Sequence, residues 1–241
     1  MQMTIRHYHD FGGDRALVGD DLRQPSAWDA VRTRSRGPFA LPASRAEWEQ
    51  LGDANQTIMQ RAAEVDRWLR NRATSRVASY GVGHALLERR LHQLDPARSL
   101  ELGEYAPNTV ERLHRVFPEA RVHHHDLLID PPLAADVHLF HRIDTEFTNE
   151  EWREVLQAFA RETILVVATE LLGLGGAMRE FRNRFLKRNA TRAGLVRNRT
   201  AFEALWRGTH RATATRFADL EGWVLEPRTS PPCPPLPRAL V

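Results

Sequence analysis

The spacing of apolar residues changes near residue 74, and the change divides the chain. Between Ser44 and Ala73, Trp48, Leu51, Ile58, Ala62, Val65, Trp68 and Leu69 recur at intervals near three and four, the period of a helix with one buried face. Ser44 can cap, with Glu47 three residues on as in a capping box, so the pattern predicts helices over about Ser44–Leu51 and Ala54–Ala73. After Thr74 short apolar runs alternate with amphipathic stretches. Strands are predicted at Arg76–Ser79, Ser99–Leu102, Arg121–His124, Val137–Phe140 and Thr163–Ala168, with helices at His84–Leu94, Pro107–Phe117 and Asn149–Ala160. That order is the grammar of an α/β domain whose parallel sheet carries helices on its faces. A further helix is predicted from Thr200 to Gly208, and the runs THRATATRF and GWVLEP, separated by a turn at Asp219–Gly222, predict an antiparallel hairpin at the sheet edge.

The flanks carry no such period. Met1 to about Ala43 holds Gly12-Gly13, Pro25, Pro38 and Pro42 among mixed charges and predicts an irregular arm with short helices at most. The expected organisation is therefore an arm and helical extension over 1–73, an α/β domain over 74–229 with a basic insert at about 171–198, and an extended proline-rich tail over 230–241.

One junction in the α/β region points to a ligand. In RVASYGVGHALLERRL, from Arg76 to Leu91, a buried strand meets an amphipathic helix through Gly81 and Gly83. Glycines there let the backbone turn sharply and let a ligand approach peptide groups without a Cβ between, while the helix start offers unpaired N–H groups. In doubly wound sheets an acid about 20 residues on, at the end of the second strand, holds ribose hydroxyls, and Glu104 follows the strand SLEL.

From Arg76 to about Arg228 the series SYGVGHA, LELGEYAPNTVERL, VHHHDLL, HLFHRIDTEF, TILVVATELL and GWVLEP resembles, in order and spacing, the class I S-adenosylmethionine-dependent methyltransferases, a Rossmann-like superfamily. The resemblance implies a seven-stranded, mostly parallel sheet with an antiparallel terminal strand and helices on both faces. It implies S-adenosylmethionine as cofactor, with Ser79, Gly81 and Gly83 along the methionine end, Glu104 on the ribose and Tyr105 against the adenine. Asp126 and Leu127 would face the adenine edge, and His141 would close the pocket near the sulfonium. Ala85 stands where the family's third glycine commonly does, an exchange expected to be tolerated because that position mainly serves helix packing. Ser79 stands where the family has an acid for the methionine amino group. That departure leaves three alternatives open: weaker cofactor binding, a compensating acid elsewhere, or a chain that has lost catalysis.

Methyl transfer is an in-line displacement in which positioning and exclusion of water do most of the work. A base is needed only when the acceptor must lose a proton, and His141 is the first candidate, with Glu170 next; Asp144 and Glu146 also follow the fourth strand of the core. Arg142 could pair with an acidic substrate or lie at the surface. His123, His124 and His125 alternate across a strand, so they do not converge on one ion, and no metal site is expected even with His138 and His141 nearby. The insert opens on glycines and carries Arg179, Arg182, Arg184, Lys187 and Arg188, which predicts a mobile basic lid or a solvated helix face.

Composition adds limits. The chain of 241 residues is 42% hydrophobic and 27% charged, enough for a substantial core. No apolar run reaches about 18 residues, and the first residues lack the pattern of a secretion signal, so a cytoplasmic protein without a membrane span is expected. Cys233 is the lone cysteine, which excludes an internal disulfide and fits a reducing compartment. Lys187 is the single lysine among 34 basic residues and the net charge is only +3, so the basic balance is a weak pointer to nucleic acid. The leading expectation is transfer of a methyl group to an oxygen or nitrogen of a small molecule. The alternatives are a degenerate fold kept as a non-catalytic binding or scaffold module and, third, an RNA methyltransferase.

Overall fold

The computed structural model describes residues 1–10, 22, 24–34, 40–169, 171–186 and 190–228. Its elements run β1 (Thr4–Asp10), α1 (Pro25–Arg34), α2 (Arg45–Ala54), α3 (Gln56–Asn71), β2 (Arg76–Tyr80), α4 (Leu86–Leu94), β3 (Ser99–Glu104), α5 (Pro107–Val116) and β4 (Arg121–His124). They continue through β5 (Val137–His141), α6 (Asn149–Ala158), β6 (Ile164–Val167), α7 (Leu174–Leu186), β7 (Ala190–Arg197), α8 (Arg199–Glu203), β8 (His210–Phe217) and β9 (Leu220–Pro227). The proline-rich tail with Cys233, and Glu170, Lys187 and Arg188, lie outside the described residues.

Seven strands form one sheet in the order β4-β3-β2-β5-β6-β9-β8. The first five pair in parallel, whereas β9 runs antiparallel to β6 and to β8. Successive side chains along a strand point to opposite faces, and both faces here are buried. Val77, Leu139, Leu165 and Val167 enter a core with Trp48, Val65, Leu69, Leu91, Leu113 and Phe117 from α2 to α5 and the turn that follows. Ala78, Tyr80, Phe140, Ile164 and Val166 enter a second with Trp152, Leu156, Phe159, Phe202 and Trp206 from α6, α8 and their following turns. The strand order reverses direction between β2 and β5, which opens a crevice beyond the carboxyl ends of the central strands.

The helical extension forms as its period requires. Ser44 caps α2 by accepting from the Glu47 N–H at 3.2 Å, and the Glu47 carboxylate accepts from the Ala43 N–H at 2.7 Å. Asn55 caps α3, accepting from the Ile58 N–H at 3.1 Å. Three expectations need correction. The first is the irregular arm, since Thr4–Asp10 is a strand paired antiparallel with β7, from Thr4 opposite Arg197 to Asp10 opposite Ala190. Polar bonds fix it: buried Glu180 of α7 accepts from the Tyr8 N–H at 3.0 Å and lies 3.1 Å from His7 Nδ1. Hydrophobic periodicity does not register such a contact. The second concerns the insert: the helix offered as one of its two readings is present as α7, but a strand, β7, follows it in place of a loose lid. The third is the helix expected over Thr200–Gly208, which ends at Glu203.

Among the described residues, no helix is long and apolar enough to cross a membrane.

Candidate active site

The crevice contains two adjoining cavities. The larger, about 910 Å³, is lined by Gly81, Gly83, Glu88, His141, Arg142 and Asp219 among others. The smaller, about 200 Å³, runs past Glu104, Tyr105, His125, Asp126 and Leu127 at the ends of β3 and β4. Trp28, Arg32, Tyr80, Gly81, Arg142 and Glu146 line both, so the two spaces share a wall.

The turn after β2 has the geometry its glycines suggest. Gly81 and Gly83 adopt φ of +61° and +57°. A side chain at Gly81 would put Cβ 2.6 Å from Ile143 Cγ2, so this glycine is required by the protein's own packing as well as by the turn. Ala85 departs from expectation. It precedes α4 in the left-handed conformation at φ 51°, so the residue at the family's third glycine position carries backbone strain and does more than pack a helix.

Glu104 is 2% exposed and faces the glycine turn. Its carboxylate accepts from the Gly83 N–H at 2.8 Å and the Ala106 N–H at 3.0 Å. Arg32 of α1 also grips it, with Nη1 3.0 Å from Oε1 and Nη2 3.5 Å from Oε2. Burial opposes ionisation, but the guanidinium and the two peptide donors outweigh it and hold the carboxyl below its ordinary value. Trp28, one helical turn back, lies beneath the same guanidinium at 5.3 Å. Thus a helix from the supposed arm roofs the crevice and fills the acceptor sites of its central acid.

Ser79 is buried, and its Oγ donates to Glu88 Oε1 at 2.6 Å. Glu88 comes from the first turn of α4, lines the larger cavity and is 2% exposed. Burial pushes its carboxyl up to about 7, with the Ser79 bond acting in the opposite direction. An acid from the helix therefore stands beside Ser79, the position where the family resemblance implied an acid on the strand. An acid in the first turn of the helix that follows the glycines was the signal available in the sequence.

His141 ends β5 on the wall of the larger cavity, and its Nε2 is buried without a hydrogen-bond partner. Burial, then the charges of Arg142 and Arg61, push its imidazolium down to about 3, so the ring is neutral. Asp144 is turned inward: its Oδ1 accepts from the Thr169 N–H at 2.7 Å and from the Thr169 hydroxyl at 2.8 Å. Glu146 lies between the cavities. Tyr105, Asp126 and Leu127 all border the smaller cavity; Asp126 Oδ1 accepts from the Leu128 N–H at 2.9 Å, which shapes its own loop.

The three neighbouring histidines separate. His123 Nε2 is 2.7 Å from Glu101 Oε2, His124 Nε2 is 3.0 Å from the Tyr105 carbonyl, and the His125 ring packs 5.1 Å from Tyr80. Among the described residues no three His, Cys, Asp or Glu side chains gather as metal ligands. Of the basic insert residues, Arg179 reaches the larger cavity. Arg61 of α3, which sequence reasoning did not single out, also lines it and makes a bidentate pair with Asp219 at 2.7 and 2.5 Å.

Solved structures share this fold. Human N-acetylserotonin methyltransferase, determined in complex with SAM, superposes with a TM-score of 0.58 at 17% identity, covering 77% of this chain and 57% of its own. PigF with SAH gives 0.60 at 15% identity, covering 83% and 62%. SAM-bound CalS10, an amino pentose methyltransferase from Micromonospora echinaspora, gives 0.54 at 13% identity, covering 78% and 98%. The chain has the class I S-adenosylmethionine-dependent methyltransferase fold. It spans only about three fifths of the length of the first two of these proteins, 57% and 62%. No family model matches the sequence, and no curated protein sequence does either. Within the methyltransferase fold, the glycine turn, Glu104 and the loop after β4 stand together at the carboxyl ends of the strands, where doubly wound sheets bind ligands.

Proposed function

We propose that the protein is an S-adenosylmethionine-dependent methyltransferase acting on an oxygen or nitrogen of a small molecule. The observation that carries this reading is the continuity of the crevice, from Asp126 and Leu127 past Glu104 and Gly81 to Glu88 and His141, in a methyltransferase fold. The residues present suit the cofactor. The smaller cavity, lined by Tyr105 and Leu127, would hold the adenine, Glu104 the ribose hydroxyls, and Glu88 with Ser79 the amino group of the methionine end. Binding the ribose requires Arg32 to yield part of its hold on Glu104, because the protein's own donors already engage that carboxylate.

When bound, the cofactor would supply a methyl group on a sulfonium, for in-line transfer to an acceptor atom with the electron pair left on sulfur. The chain's part is to bind, orient and exclude water. His141 borders the larger cavity with a neutral ring whose Nε2 is buried and partnerless, so the ring has to turn before that nitrogen can accept a hydrogen bond from an acceptor hydroxyl or amine. With its imidazolium held near 3 it is a weak base, so it orients the acceptor and takes a proton only late in transfer. Glu170, the second candidate base, lies outside the described residues.

Calorimetric titration with S-adenosylmethionine and S-adenosylhomocysteine tests the reading. Saturable binding of both is expected, and no heat at millimolar ligand overturns it. Arg32 across Glu104 favours a second reading, a binding module of the same fold that no longer turns over. Cofactor binding with no methylated product over a broad panel of hydroxyl and amine acceptors would select it.

A further inference from the structure

Five arginines line the larger cavity, and four have protein partners. Arg32 holds Glu104, Arg61 holds Asp219, Arg179 reaches Glu180, and Arg216 donates to the Ala218 carbonyl. Among the described residues Arg142 has neither a hydrogen bond nor an ion pair from its guanidinium. Its surface is open to the cavity, yet protein surrounds it; burial and then the Arg61 charge bring its basicity down. Two guanidinium groups line one cavity, and the one without a protein partner has its cation opposed by the other's charge, which leaves room for an anion.

The backbone supports a placed side chain. Arg142 adopts φ 59°, a left-handed conformation unfavourable for any residue with a Cβ, and its N–H is fixed to the Val167 carbonyl at 2.8 Å. The bend turns the chain at the end of β5, directly after His141, so the side chain enters the cavity beside the neutral imidazole. Asp144 and Asp219 are the acids whose charges favour the Arg142 cation. Asp144 is engaged by Thr169, and Asp219 by Arg61.

We infer that Arg142, with Arg61 beside it, is an anion subsite in the acceptor wall, and that the acceptor molecule carries a carboxylate or a phosphate. A guanidinium presents parallel N–H donors matched to the paired oxygens of either group. The anion bridges the two like charges and brings the acceptor against His141. The word acceptor rests on the methyltransferase reading above, whereas the subsite does not.

The test uses the full chain, with and without saturating S-adenosylhomocysteine, titrated calorimetrically with benzoate, phenyl phosphate and the neutral benzamide at constant ionic strength. At least one anion is expected to bind about tenfold or more tightly than benzamide. The stronger of the two identifies the oxyanion. Arg142→Gln is expected to abolish the preference and Arg142→Lys to keep part of it, while the exposed control Arg207→Gln leaves it unchanged. Equal binding of anions and benzamide by the wild type overturns the inference, even if the glutamine variant fails to fold; so does a preference that survives in Arg142→Gln. Anion binding that depends on Arg142 in a protein that ignores S-adenosylhomocysteine upholds the subsite and removes the methyltransferase reading. Cofactor binding without anion preference does the reverse.

Discussion

The two ends of the crevice are finished differently. At Glu104 a guanidinium and two peptide N–H groups meet one carboxylate, and the acid is satisfied before any ligand arrives. Around His141 and Arg142, by contrast, an imidazole nitrogen and a guanidinium stand in the wall without partners. Ligand at the first end replaces bonds that already exist, whereas ligand at the second adds bonds the protein lacks. The first end therefore sets a threshold for binding, and the second sets a choice among ligands.

The largest effect expected from breaking this contrast is Glu104→Ala. It strands Arg32, the Gly83 N–H and the Ala106 N–H in a buried place, at a cost of about 3–5 kcal/mol. Urea unfolding of the single variants and of the Arg32→Ala/Glu104→Ala double variant measures it, and the double variant should recover much of the loss. Additive losses would mean that the pair is not coupled.

Next comes Glu88→Gln, whose effect depends on pH. The folded carboxyl titrates near 7 and its ordinary value is 4.5, so between those values the native state holds a proton that the unfolded state has lost. Stability is then full below about 4.5, declines as pH rises and is lost through 7. Glutamine removes that decline, so the variant should be more stable than wild type at pH 8, by up to about 3 kcal/mol, with the advantage shrinking toward pH 4. Thermal melts across that range check it. The same variant should bind S-adenosylhomocysteine more weakly, because the acid proposed for the amino group is gone. A variant that gains stability at pH 8 and keeps its affinity would leave Glu88 outside the binding site.

The smallest effect tests the latch itself. Arg32→Gln frees carboxylate oxygens for a ribose, so S-adenosylhomocysteine should bind several-fold to about tenfold more tightly, although the free protein is less stable. Weaker binding in that variant would make Arg32 a cofactor ligand in its own right.

Much of the sheet was legible because its signals are local. Arg121–His124 is a strand with the bounds its residues suggested, and TILVVA contains β6. The adjacency of Gly83 and Glu104 also followed, since both sit at strand ends in a regular alternation. What escaped depends on contacts remote in sequence. Nothing near Arg32 announces that it crosses to an acid 72 residues away, and α1 has no strong apolar stripe to mark it. TIRHYHD alternates too weakly to read as a strand, and its partner lies at the other end of the chain. Ala85 was misread because a residue name does not disclose a positive φ. Glu88 was closer to hand: the missing acid at Ser79 asked for a substitute, and the next helical turn held one.

Arg197 has a mechanical consequence. It is 2% exposed, and it donates to the Asp144 and Phe147 carbonyls at 2.6 Å and to Asn149 Oδ1 at 2.7 Å. A Cβ on nearby Gly194 would come within 2.5 Å of the same loop. The segment carrying Glu146 is thus riveted to β7, and through β7 to the first strand of the chain. An incoming molecule meets a stiff floor there, and the give needed to admit it has to come from the roof that α1 provides.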